Sequence, residues 1–145
     1  MFNKELPVGL IKYLEDFAKQ LEYTVDNQVE SKGDIVSSEY VKKFADELQL
    51  HGGGKPIEIR DYQVQAVRKG IQGGRSLLLS PTASGKSLII YTLMRYFQKR
   101  NKRQLIIVPT TSLVEQMYGD FQDYASEVDW AVSENCHRIY GGKEK

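Results

Sequence analysis

With 145 residues, 41% of them hydrophobic and 27% charged, the chain has the size and composition of one globular domain with at most a small addition. It has no apolar run near the roughly 20 residues that a membrane-spanning helix requires. Residues 1–50 hold six Lys and ten Asp or Glu, a net charge of −4, whereas residues 51–145 hold fourteen Lys or Arg and nine Asp or Glu, a net charge of +5. This asymmetry indicates either that the second part meets a polyanion or that the charge of a solvated surface varies by chance.

The first fifty residues are predicted to be mainly helical. Apolar residues recur at helical spacing over residues 8–21, and a second apolar stripe covers residues 40–50 behind a capping serine at 37 or 38. The glycines at 52–54 are expected to end the second helix and to form a flexible joint. Residues 1–51 are therefore interpreted as a helical accessory segment that docks on the rest of the chain.

The remaining residues alternate between strand and helix patterns. Amphipathic helices are predicted over 61–70, 86–99 and 112–124, and short apolar runs at 76–79, 104–108 and 137–140 are predicted to be strands. Strands that alternate with helices are typical of a parallel sheet with right-handed crossovers. The predicted fold class is α/β, an incomplete three-layer parallel sheet preceded by the helical segment.

A phosphate-binding loop (P-loop) is predicted between the first strand and the following helix. Its nucleotide-binding residues are Pro81, Thr82, Ala83, Ser84, Gly85, Lys86, Ser87 and Leu88. Backbone N–H groups at a helix N-terminus attract phosphate, and Gly85 lets the backbone approach it closely. Lys86 is expected to reach the β- and γ-phosphates and the Ser87 hydroxyl to ligate Mg²⁺, so these two are the candidate catalytic residues.

The loop departs from the usual pattern at its start, where Ser80 replaces the first glycine. The alternative interpretation is an ordinary strand–helix turn in which Lys86 is a solvated lysine. A cation at a helix N-terminus opposes the helix dipole, so that alternative explains the lysine poorly. Nucleotide binding is the favoured interpretation.

Three motifs in order resemble the first motor domain of superfamily 2 helicases, over roughly residues 55–145. Arg60-Asp61-Tyr62-Gln63 resembles the Q motif of that family, the P-loop resembles motif I, and the segment from Pro109 to Gln116 resembles motif Ia. The resemblance implies that residues 52–145 are the N-terminal portion of a RecA-like ATP-binding domain. The cofactors it implies are ATP and Mg²⁺.

A second resemblance is to the phage UvsW-type recombination helicases, which are related to RecG-like enzymes. It rests on the segment from Leu6 to Leu10, on the helix after it and on the Pro-Thr-Thr-x-Leu element at Pro109. It implies an ATP-dependent DNA helicase or translocase that remodels branched DNA in recombination, repair or replication. DNA is then the expected partner rather than RNA, with no membrane involved and a monomeric whole protein. The single cysteine fits a reducing cytoplasm, which is the host's if a phage encodes the chain.

The first resemblance also implies contacts to the base. Gln63 would bind the adenine edge through its amide, which offers one donor and one acceptor side by side, and Arg60 or Tyr62 would stack on the ring. The alternatives are that Gln63 is a solvated helix residue, that Tyr62 packs in the core and that Arg60 is a surface charge.

For the nucleic acid, the resemblance implies that Pro109, Thr110, Thr111 and Gln116 hold the phosphates of one strand. Such contacts position a nucleic acid without reading its sequence. The alternatives are that Thr111 or Ser112 caps the next helix and that Gln116 faces water. A basic run from Arg95 to Arg103 is interpreted as a solvated face rather than as a DNA patch.

ATP hydrolysis requires a pair of carboxylates further along the chain than the P-loop, and in this family they belong to an Asp-Glu-x-His motif. The nearest sequence is Glu134-Asn135-Cys136-His137, with Asn in place of the catalytic Glu, and its last two residues are interpreted as packing and surface residues. A second motor domain is not found either. The chain alone is expected to bind ATP or ADP weakly and to hydrolyse almost none. The competing functions are another P-loop enzyme, such as a small-molecule kinase, and a non-catalytic module that binds DNA or a protein partner.

Overall fold

The structure is a computed structural model that describes residues 7–27, 33–73 and 76–141. In these ranges a short 3-10 helix, Val8–Leu10, precedes the following helices and strands: α1 (Ile11–Gln20), α2 (Ser38–Glu47), β1 (His51–Gly52), β2 (Lys55–Pro56), α3 (Asp61–Gln72), α4 (Lys86–Gln98), α5 (Thr111–Tyr124) and α6 (Val132–Asn135). None of the helices in the described ranges is long and apolar enough to cross a bilayer. Leu6, which belongs to the second resemblance, lies outside the described residues.

The two predicted N-terminal helices are confirmed, but they differ in how they pack. Along α1 the apolar side chains remain largely exposed, with Tyr13 at 73% and Phe17 at 57%. In α2 the Ser37 hydroxyl accepts a hydrogen bond from the Tyr40 N–H at 3.1 Å, so Ser37 is the cap of the two serines considered. The apolar face of α2 is buried and joins the main core.

The predicted flexible joint at the glycines is wrong, because these residues form a tight hairpin. Gly52 pairs with Lys55 in an antiparallel register, and the two turn residues Gly53 and Gly54 have φ values of +61° and +72°. A two-residue hairpin turn of type I′ has positive φ at both central positions, which glycine adopts without steric cost. The Gly53 N–H also donates to Asp123 Oδ2 of α5 at 2.8 Å, which ties the hairpin to the body of the domain.

The core is built around α4, which packs between α3 on one side and α5 on the other. Tyr91 and Tyr96 of α4 are fully buried. The helices α3 and α4 approach closely at Gly70, where a Cβ would lie 3.0 Å from the δ carbons of Leu93. The predicted helices at 61–70, 86–99 and 112–124 are therefore confirmed as α3, α4 and α5, with ends that shift by one or two residues.

The predicted parallel sheet is not formed within the described residues, where the only sheet is the β1–β2 hairpin. The segments at 76–79, 104–108 and 137–140 have no strand assignment. Most of their apolar side chains are exposed, with Leu79 at 90% and Ile107 at 82%. A parallel strand obtains its backbone hydrogen bonds only from neighbouring strands, and the described part of the chain pairs none of these segments with another.

Candidate nucleotide site

The P-loop enters α4 through Gly85, which has φ +71° and ψ 42°. This left-handed conformation favours glycine, and a Cβ built at this position would overlap Nε2 of Gln63. Ala83 also has a positive φ, +61°, a conformation that costs a non-glycine residue of order 1 kcal/mol. The surrounding contacts must therefore hold the loop in shape.

The first turn of α3 supplies those contacts, and they converge on the carbonyl oxygen of Ser84. It accepts hydrogen bonds from the Tyr62 hydroxyl at 2.9 Å and from Gln63 Nε2 at 3.1 Å. The Ser84 hydroxyl donates to the Pro81 carbonyl oxygen at 2.8 Å and also lies in hydrogen-bond contact with the Ser80 hydroxyl. The loop is thus fastened at its last turn by two side chains from the motif that precedes it.

Gln63 lies beneath the P-loop and is only 4% exposed. Its Oε1 accepts from the Arg60 N–H at 2.9 Å, which caps α3, while its Nε2 donates to Ser84. The amide therefore uses its donor and acceptor pair on the protein itself. Of the alternatives considered, a solvated helix residue is wrong, and the adenine contact stays a prediction.

Next to the loop lies an open cleft of about 780 Å³. This volume is in the range of small-molecule sites. Of the predicted site residues, its walls include Arg60, Tyr62, Pro81, Thr82, Ala83, Ser84 and Lys86. The cleft lining does not include the other predicted nucleotide-binding residues, which are Gln63, Gly85, Ser87 and Leu88. Lys69, which the sequence does not single out, adds a further cation to the cleft.

Lys86 bends back over the loop from which it emerges. Its Nζ donates to the Pro81 carbonyl oxygen at 2.6 Å and to the Ser80 carbonyl oxygen at 3.3 Å. The side chain is exposed. An ammonium has three donors, so one remains for an anion, and the other two can be exchanged for phosphate oxygens.

Ser87, the predicted Mg²⁺ ligand, lies in the first turn of α4 with its Oγ 2.8 Å from the hydroxyl of Tyr124. Burial raises the pKa of Tyr124, so this phenol stays protonated near neutral pH. Among the described residues no group of three or more His, Cys, Asp or Glu could hold a metal. A single hydroxyl fits Mg²⁺ only when phosphate and water oxygens complete the coordination, as they do for a nucleotide-bound ion.

The predicted nucleic-acid residues Pro109, Thr110, Thr111 and Gln116 are all exposed at and beyond the start of α5. The Thr110 hydroxyl accepts from the Leu113 N–H at 3.2 Å. Thr110 is therefore the cap of α5, and the expectation of a cap at Thr111 or Ser112 is wrong by one or two positions. The contact of these residues with nucleic acid stays a prediction.

The basic run at the end of α4 is only in part a solvated face. The Arg95 guanidinium lies 4.1 Å from the ring centre of Trp130. Lys99 pairs with Glu47 at 3.2 Å, and Arg100 pairs with Asp34 at 3.0 Å. These contacts tie α4 to neighbouring segments, so the three cations have intramolecular partners.

The segment that superficially resembles a carboxylate motif contributes to packing at the end of the domain. The Asn135 side chain accepts from Gln98 Nε2 at 2.7 Å and donates to the Ala131 carbonyl oxygen at 2.8 Å. Cys136 lies 3.8 Å from the sulfur of Met94, and burial raises the pKa of its thiol. The predicted packing role of Cys136 is confirmed.

Comparison with known proteins gives a consistent set of relatives. Residues 56–145 match the family described as type III restriction enzyme, res subunit. The chain is 36% identical over 126 residues to the ATP-dependent DNA helicase uvsW of Enterobacteria phage T4, a match that covers 85% of this chain and 25% of that protein. It is 35% identical over 74 residues to the ATP-dependent DNA helicase Hel308 of Thermoplasma acidophilum, covering 50% of this chain and 11% of that protein.

A solved structure agrees with the sequence matches. A crystal structure of the UvsW helicase from bacteriophage T4 superposes with a TM-score of 0.76 at 35% identity, covering 86% of this chain and 45% of that chain. The chain therefore spans about a quarter of the uvsW protein and under half of this crystallised chain. These similarities confirm the predicted resemblance to UvsW-type helicases.

Proposed function

Because the chain belongs to the family of the type III restriction enzyme res subunit, we propose that it is the nucleotide-binding part of an ATP-dependent DNA helicase or translocase. Its proposed task is the remodelling of branched DNA in recombination, repair or replication, in a cytoplasmic setting and as a monomer. The observation that carries the proposal is the geometry of the P-loop. Tyr62 and Gln63 hold the loop by hydrogen bonds to the Ser84 carbonyl oxygen, and Gly85 leads into α4 in a left-handed conformation. The loop and Lys86 line the cleft. The similarity to the uvsW helicase supports it.

In the proposed complex the triphosphate lies along the P-loop. The Lys86 ammonium exchanges the carbonyl oxygens of Ser80 and Pro81 for phosphate oxygens, while N–H groups at the start of α4 bind the same phosphates. Ser87 is the residue that would hold Mg²⁺, which supplies neutralisation of phosphate charge when bound. Arg60 and Tyr62, which also line the cleft, are the residues proposed to meet the base.

The proposal also covers the domain organisation and the sheet. Residues 52–145 are the N-terminal portion of a RecA-like domain, and residues 1–51 are an accessory segment whose α2 packs on α3. The segments at 76–79 and 104–108 become buried strands of a parallel sheet in the assembled motor. This proposal is supported by their runs of apolar side chains, such as Leu79 and Ile107, which are exposed here. Continuous apolar runs are typical of strands that are buried on both faces of a parallel sheet.

DNA is proposed to bind at the start of α5. Pro109, Thr110 and Thr111 are exposed there, and Gln116 follows five residues after Thr111 on the same helix. Hydroxyl and backbone N–H donors in such a segment suit phosphate oxygens. This contact would link DNA binding to the nucleotide site, because α5 also contacts the P-loop helix at its other end.

The first prediction tests the nucleotide site with Lys86→Ala. Titration with a fluorescent ATP analogue and Mg²⁺ should show affinity about 10- to 100-fold weaker than that of the parent chain, because one charge-assisted contact to phosphate is lost. The matched control is Lys102→Ala, which removes an exposed lysine away from the loop and should leave the affinity unchanged.

Repeating both titrations with branched DNA separates this function from its competitors. A helicase part should bind the analogue more tightly when DNA is present. A small-molecule kinase would lose nucleotide binding in Lys86→Ala yet ignore DNA, and a non-catalytic module would bind no nucleotide at all. Either of the last two results would contradict the proposal.

A further inference from the structure

The hydroxyl of Tyr124 contacts the predicted Mg²⁺ ligand from a different helix. Tyr124 is the last residue of α5, and its oxygen lies 2.8 Å from Oγ of Ser87 in the first turn of α4. The two residues are 37 positions apart in sequence, so only the packing of α5 against α4 brings them together.

The tyrosine is held in place by the aromatic core. Its ring centre lies 5.5 Å from that of Tyr91, which is fully buried and also contacts Phe121 and Trp130. Aromatic pairs at such distances stabilise their mutual geometry by about 0.5–1.5 kcal/mol. The hydroxyl of Tyr124 therefore stands at a position set by rigid packing rather than by a mobile side chain.

A hydroxyl must present a lone pair to a cation, and its proton must point elsewhere. A serine hydroxyl has one proton and two lone pairs, and the neutral tyrosine oxygen can accept that proton. When Ser87 donates to Tyr124, both of its lone pairs stay available for the cation. Without an acceptor, the serine hydroxyl rotates freely and must be ordered again when the ion binds.

We propose that Tyr124 is a positioning residue that orients the Ser87 hydroxyl for Mg²⁺–nucleotide binding. The inference rests on the proposed function, because it concerns the metal that accompanies the nucleotide. It adds a residue outside the three motifs recognised in the sequence. The same helix begins at the proposed DNA-binding segment, so one rigid element carries both contacts.

The test is Tyr124→Phe, which removes the hydroxyl and keeps the ring. Binding of a fluorescent ATP analogue is measured over a Mg²⁺ titration and again in EDTA. We expect the Mg²⁺ concentration for half-maximal enhancement of binding to rise about 3- to 10-fold, in line with the loss of one hydrogen bond, while the affinity in EDTA stays the same. A merely structural role would weaken binding equally with and without Mg²⁺.

Two further variants complete the experiment. The double variant Ser87→Ala/Tyr124→Phe should behave like Ser87→Ala alone, since the tyrosine acts through the serine. Tyr118→Phe is the control on the same helix, because the ring of Tyr118 packs against the Arg138 guanidinium. Thermal unfolding of each variant verifies that the fold is retained.

The possible failures are distinguishable. If the parent chain binds no nucleotide, the proposed function fails and this inference fails with it. If the parent binds but Tyr124→Phe leaves the Mg²⁺ dependence unchanged, or if the effects of the two substitutions add, only the role of Tyr124 is overturned.

Discussion

The P-loop shows how two side chains and one glycine determine a single backbone shape. Gly85 combines a positive φ with a contact to Gln63 that leaves no room for a Cβ. The Gln63 amide in turn connects the start of α3 to the Ser84 carbonyl oxygen. A substitution at one of these three residues must therefore alter the contacts of the other two.

We expect Gly85→Ala to disrupt the nucleotide site. The added Cβ meets Nε2 of Gln63 and forces a left-handed alanine, which together should lower the free energy of unfolding by about 2 kcal/mol. The displaced loop should bind the fluorescent ATP analogue at least about 10-fold more weakly, given the close backbone approach that phosphate requires. Denaturant unfolding and analogue titration measure the two effects.

Gly119→Ala is the matched control for that substitution. Gly119 lies within α5, and a Cβ there would meet nothing within 4 Å. Alanine at such a helical position should raise the stability by about 0.5–1 kcal/mol without changing nucleotide affinity. Parent-like binding by Gly85→Ala would show that the loop adopts a different shape in the nucleotide complex.

At the scale of elements, α5 connects three parts of the domain. Its cap Thr110 belongs to the proposed DNA-binding segment, Asp123 holds the β1–β2 hairpin, and Tyr124 contacts Ser87. At the start of the helix the Thr110 hydroxyl accepts a hydrogen bond from the Leu113 N–H, one of the backbone donors that a helix start leaves unpaired. The same residue is therefore expected to serve both stability and DNA contact.

Substitution of Thr110 separates these two roles. Thr110→Ala removes the cap and should lower the free energy of unfolding by about 1 kcal/mol, whereas Thr110→Ser keeps a capping hydroxyl and should cost much less. DNA affinity should fall in the alanine variant and be retained in the serine variant. Equal stability of the two variants in thermal unfolding would contradict the assigned cap.

At the scale of the whole molecule, the segment at 33–36 is tied to two helices. The Val36 carbonyl oxygen accepts from Arg68 and Gln72 of α3. The Asp34 carboxylate accepts from the Tyr96 hydroxyl of α4 at 2.7 Å and pairs at 3.0 Å with Arg100, which lies just beyond the end of α4. These contacts join the N-terminal part of the chain to the helices that border the nucleotide site.

This junction predicts a pH dependence of stability. The hydrogen bond from Tyr96 and the charge of Arg100 lower the pKa of Asp34 below its ordinary value of 3.8. A lowered pKa in the folded state means that the carboxylate stabilises the fold above pH 3.8 and loses this contribution as the pH falls through the folded-state pKa. Burial and the same hydrogen bond raise the pKa of Tyr96, so its hydroxyl remains a donor.

Asp34→Asn measures that contribution. The unfolding midpoint of this variant should lie below that of the parent at neutral pH, and the two should converge in acid as Asp34 of the parent becomes protonated. Glu58→Gln is the control, because Glu58 is an exposed carboxylate in the segment before α3. A midpoint difference that persists unchanged in strong acid would contradict the role given to the charge.

Sequence alone was enough to predict α3, α4 and α5, the P-loop between a short apolar run and α4, and the helicase resemblance. These follow from local rules, because helix hydrogen bonds join residues four positions apart and the loop motif is contiguous. Even the capping serine of α2 was among the two that the sequence offered. The glycine hairpin was missed because its two strands are only two residues long and carry no alternating apolar pattern beside the Gly53-Gly54 turn.

Tertiary structure alone decided which groups meet at the site. The contact of Ser87 with Tyr124, the burial of Gln63 against Ser84 and the partners of Arg95 depend on residues far apart in the chain. Strand pairing is non-local for the same reason, since a strand without a neighbour has no backbone partners, and the apolar segments at 76–79 and 104–108 accordingly remain unpaired within the described residues. Local patterns specify helices and loops, but only packing determines the contacts between them.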